Sequence, residues 1–388
     1  MSAAPHTVIV AGGVAGPFGR HADATMASLA APAVAGGLKQ AGLEARDVHA
    51  AFVGNAFGGV LQNQESILGQ TVLAPLGIAG VPVHTIKNAC SSGADAVHLA
   101  WSAVAYGQYD CVLALGVEKL NLPEKARAFA ALASATDHPP AGKGRSVFMD
   151  INAERTRRYM ERFGAAPRHF ALAAAKNRRH ASLNPNAALR EPATAEAILA
   201  DKVVVAPLTR GMCGGLADGA AAVVLVSEDF ARRRGIAGPM IAASAVVSGV
   251  DDGGAASATK RAGLLALEQA AIAPADVSLA EVHDPTSPQE LFDIEELGLA
   301  APGGAIALTE SGATALGGRL PVNVSGGLVA RGHPVGATGV AQIAEIAEQL
   351  MGRAGARQIE GARIGLAQMA GGLLGRDSAV AAVHILVR

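Results

Sequence analysis

One cysteine and two histidines in this 388-residue chain have settings that suit nucleophilic and acid–base chemistry. Cys90 lies in Lys87-Asn88-Ala89-Cys90-Ser91-Ser92-Gly93, followed by Ala94, Val97, Trp101 and Val104 at helical spacing. Small and polar residues at 91–93 suit the start of that helix. A thiol there meets free backbone N–H groups and the positive end of the helix dipole, a setting expected to lower its pKa from about 8.5 toward neutrality. The pattern describes a nucleophile on a turn. A buried structural cysteine is the plain alternative.

His333 sits in Asn323-Val324-Ser325-Gly326-Gly327-Leu328-Val329-Ala330-Arg331-Gly332-His333-Pro334-Val335-Gly336-Ala337-Thr338-Gly339. The glycines imply tight turns and close backbone approach, and Pro334 stiffens the chain beside the imidazole. Val340, Ile343, Ile346 and Leu350 anchor the loop through a helix predicted over 340–351. A histidine so held can activate a thiol or protonate a leaving thiolate. A phosphate-cradling loop or a packing turn would also explain the glycines, but no strand–GxGxxG–helix unit supports a dinucleotide site. His283, in Glu281-Val282-His283-Asp284-Pro285, follows a predicted strand, where it suits a donor to a developing oxyanion or a satisfied structural histidine.

The elements that must position these residues alternate between helices and near-continuous apolar runs. Thr7–Ala11, Ala50–Gly54, Cys111–Gly116, Ala220–Val226, Met240–Ala243 and Ala379–Val387 read as buried strands. A helix ending at Ala41 and closed by Gly42 has Pro32 in its expected first turn. Residues 118–207 are richer in charge and read as amphipathic helices inserted between core strands. Arg232-Arg233-Arg234-Gly235 reads as a linker, dividing the chain into halves at 1–235 and 236–388 with a similar order of elements. The expected class is α/β with buried sheets.

A net charge of −1 provides no global field for nucleic acid or an anionic membrane. No segment reads as a signal peptide or a membrane span. Cys90, Cys111 and Cys213 have no paired spacing, so neither a disulfide framework nor a metal site is indicated, and a reducing, cytoplasmic setting is expected.

Together these segments resemble the thiolase superfamily, in its sterol-carrier-type and archaeal branch, over nearly the whole chain. Asn88-Ala89-Cys90-Ser91-Ser92-Gly93 is similar to the nucleophile motif, and Asp218-Gly219-Ala220 to the strand entry. His283-Asp284 is similar to that branch's variant pair, and Gly332-His333-Pro334-Val335-Gly336-Ala337-Thr338-Gly339 to the catalytic-histidine motif. Residues 176–186 resemble the loop domain. The resemblance implies a five-layer αβαβα fold of two similar halves, with the insertion over an acyl-CoA channel. It implies an acyl-CoA C-acyltransferase of lipid metabolism, with Cys90 acylated by a coenzyme A thioester, no resident cofactor, His333 as activator and His283 nearby. It further implies an oxyanion donor near Gly371, a coenzyme A contact at Ser325, and a homodimer or dimer of dimers.

The chain departs from the family where a second cysteine normally moves the proton of the carbon acid. The corresponding positions are Pro285 and the segment Gln368-Met369-Ala370-Gly371-Gly372, with no thiol. A histidine is the expected substitute, His283 first. Two other readings stay open: transfer of the acyl group to a non-CoA acceptor, and a lyase or scaffold subunit working with a small OB-fold partner.

Overall fold

The computed structural model describes residues 6–137, 146–251 and 256–388. Strand β1 (Val8–Ala15) opens the chain and leads to helix α1 (Met26–Ala41). Thr25 and Ser28 cap α1 reciprocally, side chain to backbone, and Gly42 ends it in the left-handed conformation. This cap overrides the expected start near Pro32, which lies inside the helix on its exposed side. The strand expected over Thr7–Ala11, ending ahead of Gly12-Gly13, is also corrected. The strand runs on through both glycines because α1 lies directly over it, and a Cβ on Gly12 would meet the Gly37 carbonyl oxygen at 2.3 Å.

The first half continues through β2 (Ala50–Gly54), β3 (Val83–Ile86), α2 (Ser92–Ala105) and β4 (Cys111–Lys119). The charged insertion supplies α3 (Lys125–Ala133), α4 (Val147–Phe163) and α5 (Pro167–Ser182) before the chain returns as β5 (Asp218–Ser227). Arg232–Arg234 is not a linker. It ends a short helix, Glu228–Arg234, that Ser227 caps at the start and Gly235 at the end. The second half comprises β6 (Met240–Ser248), α6 (Ala258–Ala270), β7 (Leu279–Glu281), α7 (Ser287–Glu296), α8 (Val335–Leu350), β8 (Ile364–Gly371) and β9 (Val380–Val387).

The nine strands follow the order β3-β2-β4-β5-β1-β6-β9-β8-β7. β1–β5 and β5–β4 are antiparallel, and β4–β2 and β2–β3 parallel. The second half repeats the pattern: β6–β9 and β9–β8 are antiparallel, β8–β7 is parallel, and Val322 pairs with Ala280 where a fifth strand would lie. Within the sheet, Ile9 pairs with Met240 where the two halves meet. Side chains of β5 alternate between two cores. Ala221, Val223 and Leu225 pack inward with α2 and α8, while Ala222, Val224 and Val226 pack outward with α1. Ala381, Val383 and Ile385 of β9 face α6 and α7. The result is a five-layer αβαβα stack, its central layer formed by α2 and α8. No helix among the described residues is long and apolar enough to cross a membrane.

The central pair touches backbone to backbone. A Cβ on Gly93 of α2 would lie 2.4 Å from the Gly336 oxygen of α8, and one on Gly339 would lie 2.4 Å from the Ala94 nitrogen. In an exposed helix, Gly→Ala adds about 1 kcal/mol of stability. Here Gly339→Ala is expected to destabilise by about 1–3 kcal/mol through overpacking. A denaturant midpoint that rises or stays level would show that the two helices are not in this contact.

Candidate active site

Cys90 and His333 each sit two residues ahead of a central helix, so the glycine contact brings both to one point. On the cysteine side, Ala89 takes a positive φ of 48° and Ser92 locks the turn, accepting from the Asn88 N–H at 2.8 Å and donating to the Ala89 carbonyl at 2.7 Å. On the histidine side, the Glu118 carboxylate accepts from the N–H groups of Ala56, Phe57 and Gly336 at 2.9, 3.2 and 3.0 Å. One buried acid thereby ties the ends of β2 and β4 to the first turn of α8.

His283 completes the cluster. The sulfur of Cys90 and a nitrogen from each imidazole lie within 4.8 Å of one another. The two rings meet edge to face, centroids 5.5 Å apart. The His333 tautomer follows from its neighbour: the Thr338 hydroxyl donates its proton to the Pro334 carbonyl at 2.9 Å, so it accepts from His333 Nδ1 at 2.8 Å. Nε2 therefore carries a free lone pair, and neither His333 Nε2 nor His283 Nε2 has a protein partner. His283 is held through its backbone N–H, which donates to Gln368 Oε1 at 2.9 Å.

The loop domain braces this arrangement. Lys176 of α5 pairs with Glu290 at 2.7 Å and donates to the Val322 carbonyl, while Asn177 donates to Asp284 and Glu290 at 2.9 and 2.8 Å. Asp284 also accepts from the Leu328 N–H at 2.7 Å, so it ties the His283 turn to the glycine loop. Motif reading does not reach Glu118, Thr338, Lys176, Asn177 or Glu290 as site residues. The polar spacing of Lys176-Asn177 on one helix is the only local trace of their work.

Two expected contacts fall elsewhere. Ser325 is fully buried, its hydroxyl donating to Glu281 at 2.5 Å, and it does not line the cavity. Gly371 packs beneath the cysteine turn, where a Cβ would lie 2.3 Å from the Asn88 oxygen. The N–H facing the Cys90 sulfur is that of the next residue, Gly372, together with Cys90's own. Cys111 is buried in β4, and Cys213 points its thiol at the Thr209 carbonyl, 3.3 Å away.

The expected standing thiolate is also corrected. Burial, reinforced by the Glu118 carboxylate, pushes the Cys90 thiol up to about 12, against the two N–H groups that favour the anion. A helix terminus contributes only about 0.3–2 kcal/mol to such a balance. Burial likewise holds His283 down to about 3, with the Arg155 charge adding to it, and depresses His333 well below its usual value. The free site is uncharged: a thiol beside two neutral imidazoles.

The three donors would also suit a soft cation. The two N–H groups aimed at the sulfur, however, complement negative charge. The cluster opens on a cavity of about 290 Å³ lined by Phe129, Leu132, Phe148, Met149, Val204 and Leu373. A nucleophile, a base and an apolar chamber for a chain suit acyl transfer.

Residues 8–191 match the family described as thiolase, N-terminal domain, and residues 240–386 the one described as thiolase C-terminal domain-like. Acetyl-CoA acetyltransferase of Methanothermobacter thermautotrophicus is 36% identical over 96% of this chain and 97% of its own. Benzoylsuccinyl-CoA thiolase subunit BbsB of Thauera aromatica is 34% identical over 94% of each. Sterol carrier protein 2 of Homo sapiens is 32% identical over 82% of this chain and 61% of its own. The solved Ltp2-ChsH2(DUF35) aldolase shares the fold with a TM-score of 0.81 at 24% identity, covering 99% of this chain and 98% of that one.

The electrostatics fix the shape of a titration. Alkylation of Cys90 by iodoacetamide, followed by peptide mass, is expected to rise steadily from about pH 6 to about pH 10, because thiolate forms only as pH approaches the raised thiol value. A plateau across neutral pH would reveal a standing thiolate–imidazolium pair. Thr338→Val, which frees the tautomer, is expected to slow acylation of Cys90 by about tenfold or more.

Proposed function

The chain belongs to the thiolase family, and we propose that it is an acyl-CoA C-acyltransferase in which Cys90 carries the acyl group. The observation that carries this reading is the convergence of the Cys90 sulfur with His333 Nε2 and two backbone N–H groups beside an apolar cavity. His333 Nε2 takes the thiol proton as the sulfur attacks the thioester carbon. The carbon–sulfur bond to coenzyme A then breaks, and the departing sulfur receives that proton. The Cys90 and Gly372 N–H groups meet the charge on the carbonyl oxygen, each such donor being worth about 10²–10³ in rate. Because the resting site is neutral, the proton moves only when a thioester is present to accept the electrons.

The second half-reaction needs a base for the α-carbon of the acceptor thioester. His283 is the nearest unspent one, its Nε2 unpartnered and its ring against His333. It removes the α-proton, the carbanion attacks the Cys90 thioester, and the sulfur leaves and is reprotonated by an imidazolium. In the opposite direction coenzyme A attacks the acyl-enzyme. A neighbouring hollow of about 540 Å³ shares Arg155 and Gln289 with the cavity and is lined by the cations Arg158, Arg162, Lys260 and Arg376, interleaved with the acids Asp251, Glu295, Glu296 and Asp377. These cations suit the phosphates of coenzyme A, with the uncharged pantetheine arm running inward. The open edge of β3 and the exposed Val60 and Ile67 suit a homodimer, which light scattering would disprove by returning a monomer at micromolar concentration. Reduced thiols fit a cytoplasmic setting.

A second reading rests on the missing cysteine at Pro285 and 368–372. Without that thiol the chain would pass its acyl group to a non-CoA acceptor, or act with a partner subunit; the fold neighbour is named for an aldolase and for ChsH2(DUF35). Exchange of the acetyl-CoA methyl protons with deuterated water separates the two. Wild type is expected to exchange, and His283→Ala to lose exchange by about 10²-fold or more while Cys90 still acetylates. Exchange that persists in His283→Ala but vanishes in Cys213→Ala would reassign the base. Absent exchange in an acetylating wild type would favour the second reading.

A further inference from the structure

Arg155 is the one permanent cation among the described residues lining the reaction cavity, on walls that are otherwise mostly aliphatic and aromatic. It lies on α4, three residues after Asn152 and four after Ile151, both of which also line the chamber. A guanidinium has five N–H donors and keeps its charge at any physiological pH. Here, one of them reaches the Arg376 carbonyl at 3.0 Å, and among the described residues no carboxylate lies within ion-pair distance. Asp293 and Glu296 of α7 face it, burial raising both carboxyl pKa values while the Arg155 charge pulls them back. Of the other acids lining the outer hollow, Glu295 is bonded to Tyr159 and Asp377 to Arg261, and Asp251 lies at its rim. His283, which also feels the Arg155 charge, is held down to about 3, chiefly by burial. Arg155 therefore presents a permanent positive charge with no direct ion-pair partner among the described residues, beside a reaction centre that has none of its own.

Arg155 is half-buried between the cavity and the hollow, so its charge is within reach of a ligand in either. The phosphates of coenzyme A have the other cations of the hollow, Arg158, Arg162, Lys260 and Arg376, the pantetheine arm is uncharged, and a plain alkyl chain gains nothing from the charge. A carboxylate fits: its two oxygens match the guanidinium fork, and its charge matches the field. Resting on the acyltransferase reading above, we propose that Arg155 selects coenzyme A thioesters whose acyl chain carries a second carboxylate, the apolar wall taking the hydrocarbon between the two ends. The substrate class is then the thioester of a dicarboxylic or 3-oxodicarboxylic acid. Gln289, whose side-chain oxygen is buried without a partner while its amide N–H holds Asp293, keeps that acid turned away from the approaching carboxylate.

The test is a selectivity ratio, which cancels differences in the fraction of active protein. 3-Oxoadipyl-CoA and its neutral methyl ester are cleaved with coenzyme A by wild type, Arg155→Met and Arg155→Lys. Wild type is expected to favour the acid in kcat/KM by about tenfold or more, chiefly through KM. Arg155→Met should bring the ratio to about one or below, and Arg155→Lys should restore part of it. A wild-type preference for the ester, or a ratio that Arg155→Met leaves unchanged, would overturn the assignment. Acetylation of wild-type Cys90 by acetyl-CoA is measured alongside. Its failure would overturn the acyltransferase reading and this assignment with it, whereas acetylation without acid preference removes the Arg155 assignment alone.

Discussion

Everything at the reaction centre depends on two helices touching through glycine. Gly93 and Ala94 of α2 lie against Gly336 and Gly339 of α8 with no room for a side chain. Each helix begins two residues after a reactive group, so the distance between their axes sets the distance between Cys90 and His333. The five-layer stack follows from the same contact. Two buried sheets can enclose one thin helical layer only if that layer is built from small residues, which explains the abundance of alanine and glycine and the scarcity of aromatics. Glu118 then fixes the rotation of α8 by capping its first turn from the opposite half-sheet element.

A second constraint is electrical. The candidate catalytic groups are kept neutral while ionisable side chains are gathered just behind them. Glu281, Asp284, Glu290, Lys176 and Arg331 are all buried, and hydrogen bonds or ion pairs join them into the support of the glycine loop. Burial opposes ionisation of Cys90, His283 and His333 alike. On the proposed mechanism, the proton leaves the sulfur only when the arriving thioester supplies an acceptor for its electrons. That behaviour protects the thiol from idle oxidation and alkylation.

Much of this was legible from the residues. Cys90, His333 and His283 stand in short, rigid segments whose local chemistry is visible without the fold, and all three meet in space. The layered class was visible because the central strands β2, β4, β5 and β9 are buried on both faces and so read as apolar runs. What escaped was set by tertiary contact. Pro32 misplaced the start of α1 because the Thr25–Ser28 cap lay upstream of it. The donor facing Cys90 is Gly372 rather than Gly371, a one-residue difference at the end of β8 that no local signal encodes. Ser325 reads as a ligand contact but is spent on Glu281, a partner 44 positions away. The thiol pKa went in the opposite direction because a dipole is a local feature and burial is not.

The central claim is that Cys90 becomes an acyl carrier in this pocket. Intact-mass analysis after incubation with acetyl-CoA tests it most directly. A gain of about 42 Da, one acetyl group, is expected on the Cys90 peptide of wild type, absent from Cys90→Ser and much slower to appear in His333→Ala. No adduct on wild type, or one that maps to Cys213 or Cys111, would contradict the account.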